Sequence, residues 1–171
     1  MFQDRLTKRI VGWAISDTMP AELVVRALQM ALRRGLIKRG CIVHTDRGSQ
    51  YVSNDFRDLL KRCGLRQSMS AKGNCYDNAQ AESFFSRFKT EIDSPIFASA
   101  DEARHAAFDY IDCYYNRIRH HSTLRATIPE FELRLKQTGP KGRDNLTGCG
   151  NMEKPKSGFP TFPQPLLLTL N

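Results

Sequence analysis

The predicted fold is decided by HTDRGSQY, residues 44–51, and by GNCYDNAQAESFF, residues 73–85. The apolar, β-branched run CIVHT precedes Asp46 and predicts a short strand. Asp46 therefore lies at the carboxyl end of a strand, where ligands collect in open α/β sheets. Gly48 is expected to let the chain turn away at this point.

The second stretch predicts a helix that carries Glu82. Asp77 or Asn78 can serve as its N-cap, and Gln80 is placed for a capping box from Asp77. Apolar residues then recur at helical spacing, at Ala81, Phe84, Phe88 and Ile92. Seven positions separate Glu82 from Lys89, so both side chains are expected on the polar flank of this helix.

Asp46 and Glu82 are the predicted catalytic residues and metal ligands. Carboxylates are hard oxygen ligands that suit Mg²⁺, and two such ions can clamp the attacking and leaving oxygens of a phosphoryl displacement. One aspartate and one glutamate alone are more often solvated surface charges. The sequence motifs around Asp46 and Glu82 strengthen the prediction.

Three stretches carry a resemblance to a known family: HTDRGSQY, SMSAKGNCYDNAQAESFFSRFKTE and YYNRIRHHSTL. Together they resemble the integrase core of OrfB-type transposases from the third numbered family of bacterial insertion sequences. That family lies within the retroviral-integrase and RNase H-like superfamily, and the resemblance spans about Asp4 to Glu132. It implies that Asp46 and Glu82 are the second and third members of an Asp-Asp-Glu triad, and that Lys89 contacts DNA.

The family's first catalytic aspartate has no counterpart here. It lies in a Thr-Asp-Ile-Thr-Tyr type word, whereas Asp4 to Trp13 resembles a later segment of the family, so Asp4 matches a non-catalytic aspartate. We therefore expect an α/β fold, an RNase H-like mixed sheet with helices on both faces that lacks its first strand. This reading predicts an N-terminally truncated core.

Further DNA contacts are expected in two places. The aperiodic stretch after Met69 predicts a loop beside the metal site, in which Lys72, Tyr76 and Asn78 are candidates, although a plain connector is the alternative. A basic end follows a predicted helix with the stripe Ala103, Ala106, Ala107, Tyr110, Ile111, Tyr114, Tyr115 and Ile118. There Arg117, Arg119 and His120 could contact phosphates or cap the helix.

Composition agrees with a nucleic-acid partner. The net charge of +8 favours a polyanion, and no apolar run has membrane-spanning length. The five cysteines are odd in number and widely spaced, which predicts reduced thiols in a cytoplasmic protein. Residues 137–171 are rich in proline and glycine and lack a period, so we expect a core over 1–136 and a disordered tail unrelated to it.

The expected function is DNA transposition by a partial, Mg²⁺-dependent core. The complete family site uses two divalent ions, and at most weak metal binding is expected here. The expected partners are transposon-end and target DNA, and further copies of this chain or a full-length transposase. Two alternatives stay open: a non-catalytic DNA-binding or regulatory fragment, and an inert remnant of an insertion sequence.

Overall fold

A computed structural model describes residues 1–18, 20–70, 79–92, 97–138 and 166–167. The side chains of residues 79, 81, 166 and 167 are outside this description. The elements are β1 (Phe2–Gln3), β2 (Ile10–Gly12), α1 (Ala21–Arg33), β3 (Ile42–Thr45), α2 (Asn54–Arg62), β4 (Arg66–Met69), α3 (Ala79–Glu91), α4 (Ala100–Phe108), a π-helix (Asp109–Tyr115), β5 (His120–His121), β6 (Ala126–Thr127), α5 (Ile128–Thr138) and β7 (Leu166–Leu167).

The main sheet is mixed, with the strand order β2-β1-β7-β3-β4. β1 is antiparallel to both β2 and β7, whereas β3 is parallel to β7 and to β4. Val11 and Ile10 belong to different apolar clusters, because successive side chains of a strand point to opposite faces. Helices therefore cover both faces of the sheet, as the sequence predicted.

The β1–β2 hairpin is closed by Asp4. Its Oδ1 accepts the N–H groups of Leu6 and Thr7 at 2.9 and 2.8 Å, and Lys8 then takes a left-handed backbone with φ of 65°. Asp4 thus stabilises a turn, which agrees with the non-catalytic position that its sequence match assigned. The second strand of the hairpin, β2, is short and covers Ile10–Gly12.

Helix α1 packs directly on β2, with its apolar stripe buried. The contact is so close that a Cβ added to Gly12 would lie 2.2 Å from the backbone oxygen of Ala27. Only glycine fits at such a distance. The helix ends before Gly35, whose φ of 67° is the left-handed conformation expected of a C-terminal glycine.

The β3–α2–β4 unit begins with the strand that the sequence predicted before Asp46. Ser53 caps α2, because its side-chain oxygen accepts the N–H of Phe56. Gly64 ends the helix with a φ of 63°. β4 then pairs in parallel with β3 along four residues, from Ile42 with Arg66 to Thr45 with Met69. The strand ends that follow Thr45 and Met69 consequently lie side by side.

Helices α3 and α4 and the π-helix form the second apolar cluster, with Phe84 at its centre. The Phe84 ring lies 5.0 Å from the ring of Tyr115 and 5.8 Å from that of Phe88, measured between centroids. Ser99 caps α4 by accepting the N–H of Glu102, and the Glu102 carboxylate accepts the N–H of Ala98 at 2.6 Å. Ser99 and Glu102 thus hold the start of α4 by two hydrogen bonds, one to each side chain.

The stripe predicted for the following helix is wrong at Tyr114 and Ile118, whereas Ile111 and Tyr115 are buried as predicted. Tyr114 is 40% exposed and Ile118 is 66% exposed, although both were assigned to the buried face. The cause is the π-helix, in which the N–H of Asn116 bonds to the carbonyl of Ile111, five residues back. The wider turn shifts later side chains from the positions that a 3.6-residue period predicts, which moves Tyr114 and Ile118 outward while Tyr115 stays buried.

The C-terminal region departs from the expectation of an unrelated tail at one place. β7 occupies the position between β1 and β3, where Leu166 is the register partner of both Gln3 and His44. Within the described part of the chain, β7 is the strand that joins the two halves of the sheet. Helix α5 also continues to Thr138, two residues past the predicted boundary.

The prediction of five reduced thiols is wrong for Cys41. This residue, immediately before β3, is disulfide-bonded, whereas Cys63 and Cys113 are free. Sequence spacing gave no indication of this bond. A search of the described helices finds none that is long and apolar enough to span a bilayer.

Candidate active site

Asp46 lies directly after β3, at the end of the parallel β3–β4 pair. Its carboxylate is partly exposed, and its Oδ1 accepts the N–H of Gly48 at 2.8 Å. The bond holds one carboxylate oxygen inside the turn and leaves the other for a ligand. Asp46 therefore has the strand-end position that the sequence predicted.

Gly48 is needed here for a different reason from the one expected. Its φ of −55° is open to any residue, so left-handed freedom is not required. A Cβ at this position would instead lie 3.0 Å from the Asp46 Oδ1 and 2.8 Å from the Gln50 Oε1. The absence of a side chain lets the chain fold back over the carboxylate.

The segments on either side of Asp46 are held by neighbouring strands. Ser70, which follows β4, donates its N–H to the Thr45 carbonyl at 2.9 Å, and the Arg47 side chain donates to the Ser70 carbonyl at 3.0 Å. The Gln67 amide donates to the Tyr51 carbonyl at 2.9 Å. Asp46 thus lies on a backbone that is fixed on both sides.

Glu82 lies in the first turn of α3, with its side chain exposed. Burial of Phe84 and Phe88 on the opposite side orients the helix, so Glu82 and Lys89 both face outward as predicted. The capping box that the sequence placed at Asp77 and Gln80 lies partly outside the described residues, and so does the Ala81 side chain. Lys72, Tyr76 and Asn78 also lie outside them.

The part of the chain that the structure describes holds no complete cluster of metal ligands. Among the described residues, no three or more histidine, cysteine, aspartate or glutamate side chains are grouped to hold a metal ion. Asp46 and Glu82 supply the right ligand chemistry for a hard cation, but in smaller number than the family triad that the sequence analysis described.

The structure gives Arg119 a different environment from its basic neighbours. Arg117 and His120 are exposed and accessible to a phosphate. Arg119 is buried, and its guanidinium donates to the Glu91 carboxylate, with Nη2 to Oε1 at 2.9 Å and Nε to Oε2 at 3.1 Å. Its charge is therefore already engaged within the protein.

Glu91 is the centre of a small polar network. The Arg119 bond, with help from the Tyr110 hydroxyl at 2.9 Å, holds the pKa of Glu91 below its ordinary value even though desolvation opposes this. Burial and the Glu91 bond together raise the pKa of Tyr110. Burial raises the pKa of the neighbouring Tyr115 to about 12. Both tyrosines thus stay neutral at physiological pH, where the Tyr110 hydroxyl donates to Glu91 and the Tyr115 hydroxyl accepts from the Gln3 amide.

The sequence analysis missed a second concave surface, on the other side of α3. This cleft has a volume of about 260 Å³ and lies between the β1–β2 turn, α3 and the segment after the π-helix. Gln80, Ser83 and Arg87 face it. Their spacing of three, four and seven positions was the available signal, because it places polar side chains on one helix face. A larger groove of about 610 Å³ between α1 and α2 is lined by charges of both signs and lies elsewhere.

Comparisons with known proteins agree with this architecture. Two family models described as "Integrase core domain" match residues 1–75 and 63–129. The transposase InsF for insertion sequence IS3A of Escherichia coli K12 is 50% identical over 128 residues, which is 74% of this chain and 44% of that protein. An uncharacterized 31 kDa protein of insertion element IS600 from Shigella sonnei is 46% identical, over 74% of this chain and 47% of that protein.

Structural comparison supports the same fold. A chain of the cryo-EM structure of the simian T-cell lymphotropic virus intasome in complex with PP2A regulatory subunit B56 gamma superposes with a TM-score of 0.54. The identity is 15%, and the match covers 84% of this chain and 48% of that one.

Fold and sequence together define an integrase core domain with an RNase H-like fold. The chain belongs to the integrase core domain family, in the group represented by the IS3-type transposases. It spans about half the length of the curated relatives that it matches.

Proposed function

We propose that this chain takes part in DNA transposition as a partial Asp-Asp-Glu core, in which Asp46 and Glu82 are the metal ligands. The observation that carries the proposal is the position of Asp46, at the end of the parallel β3–β4 pair with one carboxylate oxygen held in a turn. Family membership supplies the reaction class. The residues themselves supply the ligand chemistry.

A divalent cation, Mg²⁺ by preference, fits this pair because both ligands are carboxylates and Glu82 is exposed. Such an ion, when bound, stabilises the charge that develops on phosphate oxygens. The protein's part is to hold Asp46 through Gly48 and to present Glu82 from a helix anchored by Phe84 and Phe88. Lys89, exposed on the same helix, would bind a phosphate along the strand from the reacting group.

Several further assignments belong to the same proposal. The net charge of +8 supports electrostatic attachment to DNA, with Arg117 and His120 as exposed contributors and Lys72, Tyr76 and Asn78 as candidates in the preceding loop. Arg119 contributes by its ion pair with Glu91, which holds the segment between Arg117 and His120 in place. We also propose association with further copies or with a full-length transposase, in the cytoplasm.

A second function has its own supporting observation. The described residues hold no group of three potential ligands, which favours a non-catalytic fragment that binds DNA or regulates a complete transposase. An inert remnant of an insertion sequence is the third possibility. A catalytic core and a DNA-binding fragment both require DNA binding, so this property separates them from the remnant.

The test is a titration of labelled duplex DNA with the purified full chain at several salt concentrations. If about four to six cationic groups contact phosphates, the logarithm of the binding constant should fall with log salt at a slope of roughly −4 to −5. Affinity should be similar for unrelated sequences. Absence of binding at low salt, or affinity that does not change with salt, would contradict both DNA-dependent functions.

A further inference from the structure

We propose that the cleft on the far side of α3 from Glu82 binds a nucleotide. In this assignment, which rests on the proposed action on DNA, Lys8 and Arg87 hold the phosphate and the side-chain amide of Gln80 accepts a hydrogen bond from the base. The cleft would then hold a second part of a DNA strand, apart from the phosphate at Asp46 and Glu82.

The position of the cleft separates it from the carboxylate pair. Gln80, Phe84 and Arg87 share the cleft-facing side of α3. At about 100° per residue, Glu82 lies roughly 200° around the axis from Gln80, and Lys89 lies close to the direction of Glu82. Helix α3 therefore has two polar sides. Gln80 and Arg87 face the cleft, with Phe84 buried beneath them, and Glu82 and Lys89 face away from it.

The charges around the cleft favour an anion. No aspartate or glutamate is found among those of its lining residues that the structure describes. The Arg87 side chain is exposed and makes no hydrogen bond or ion pair with the described residues, although its charge helps to lower the pKa of Glu91. Lys8 is half-buried, and desolvation, followed by the charge of Arg5, lowers its pKa although Asp4 opposes this. A phosphate would add a charged acceptor for Arg87 and for the Lys8 Nζ, which donates to the Arg5 carbonyl at 2.8 Å.

The side-chain amides of Gln3 and Gln80 indicate that the ligand of the cleft also carries a hydrogen-bond donor. Gln3 is only 2% exposed, and its Nε2 donates to the Lys8 carbonyl at 3.0 Å and to the Tyr115 hydroxyl at 3.1 Å. These two bonds fix which end of the amide is oxygen, and that Oε1 has no partner. The Oε1 of Gln80 is also buried without a partner.

Two unpaired acceptors and two cations line the same small space. Buried acceptors without partners are rare in folded proteins, so a donor is expected to reach at least one of them. Gln80 is only partly buried and can turn toward a ligand, whereas Gln3 is held in place. An inorganic phosphate could bind the two cations, but it carries no base N–H group that could donate to the Gln80 Oε1. A nucleotide has both parts, a phosphate and a base with N–H donors.

The experiment uses the full chain labelled with ¹⁵N and follows backbone amide signals during titration. The probes are dAMP and deoxyribose 5-phosphate, which differ by the base, and a short single-stranded oligonucleotide. We expect dAMP to shift signals of residues 4–9, 80–87 and 119–123 and to bind more tightly than the sugar phosphate. Signals of residues 46–48 should move less.

Matched variants test each part of the assignment. Arg87→Ala should weaken dAMP binding about tenfold, because a charge-assisted bond is lost. Arg26→Ala, an exposed arginine of α1, should leave it unchanged. Gln80→Leu should reduce the affinity for dAMP to that for deoxyribose 5-phosphate without lowering the unfolding temperature, since it removes an unpaired acceptor. Gln29→Leu, on the exposed side of α1, is its control.

The outcomes separate this site from the proposed function. Equal effects of Arg87→Ala and Arg26→Ala, or equal affinity for dAMP and the sugar phosphate, would overturn the nucleotide site while leaving salt-dependent DNA binding intact. Binding of dAMP without binding of the oligonucleotide would assign the cleft to free nucleotides and would contradict the link to DNA.

Discussion

Asn116 uses both ends of its side-chain amide on the backbone of Ile10. Its Oδ1 accepts the Ile10 N–H and its Nδ2 donates to the Ile10 carbonyl, both at 2.9 Å. Asn116 is 3% exposed and Ile10 is fully buried. These two hydrogen bonds satisfy the Ile10 backbone groups, as a neighbouring strand would. They also connect the end of the π-helix to β2 at the edge of the sheet.

Replacement of Asn116 is expected to destabilise the fold strongly. Asn116→Ala leaves a buried N–H and a buried carbonyl without partners, at a cost of about 1–3 kcal/mol for each group. Asn54→Ala, an exposed residue at the start of α2, should change stability by less than about 0.5 kcal/mol. Urea unfolding measures both variants. A loss for Asn116→Ala no larger than for Asn54→Ala would show that water replaces the side chain.

The Glu91–Arg119 pair predicts a pH dependence of stability. Because the folded state lowers the Glu91 pKa, its contribution is fully present above the ordinary value of 4.5 and is lost as pH falls through the lower folded value. Glu91→Gln should therefore be less stable than the wild type at pH 7. The two proteins should approach each other in free energy of unfolding as pH falls below about 4.

The matched control for this pH series is Glu22→Gln, at an exposed position in the first turn of α1. A constant difference between Glu91→Gln and the wild type from pH 7 to pH 3 would contradict the assignment. Such a result would mean that the glutamate matters by its shape and not by its charge.

Local signals in the sequence predicted most of the fold. Ser53 before α2, Gly35 and Gly64 after their helices, and the apolar run before Asp46 each act through the backbone of adjacent residues. Such interactions can be inferred from spacing alone. The helix of Glu82 was predicted for the same reason, since Phe84 and Phe88 recur at helical spacing and are buried.

The missed features depend on contacts between distant parts of the chain. The π-helix at Asp109–Tyr115 moves Tyr114 and Ile118 out of the predicted stripe, and Asn116 at its end bonds to Ile10. Arg119 was read as a free cation because Glu91, its partner, lies 28 residues away. The pairing of β7 with β1 and β3 and the disulfide at Cys41 likewise have no local signature.

Lys89 is expected to contribute to DNA binding without contributing to stability. It is exposed on α3, about 10.5 Å along the axis from Glu82. Lys89→Ala should leave the unfolding temperature nearly unchanged and reduce DNA affinity to a similar degree for all sequences. The salt slope should become shallower by about one unit.

The control for Lys89 is Lys136→Ala, an exposed lysine near the end of α5. If both variants bind DNA equally well at low salt, Lys89 has no specific role. The site would then consist of the two carboxylates alone.

Strand transfer by the purified chain is expected to be low or absent. The proposed site has two carboxylates, Asp46 and Glu82, whereas the triad that the family resemblance implies has three. Among the described residues, no three or more histidine, cysteine, aspartate or glutamate side chains are grouped to hold a metal ion. A joining assay with labelled transposon-end DNA and Mg²⁺ measures this directly. Robust joining that is abolished by Glu82→Gln would show that another carboxylate completes the site.

The most direct test of the central claim, that Asp46 and Glu82 hold one cation together, is Mn²⁺ binding followed by electron paramagnetic resonance. Mn²⁺ prefers the same oxygen ligands as Mg²⁺, and its free-ion signal decreases on binding. We predict that Asp46→Asn and Glu82→Gln each weaken Mn²⁺ binding at least about tenfold. The double variant should bind Mn²⁺ no more weakly than either single variant. Asp58→Asn, at an exposed position of α2, should bind it as the wild type does. Wild-type Mn²⁺ affinity in either single variant would contradict a shared site.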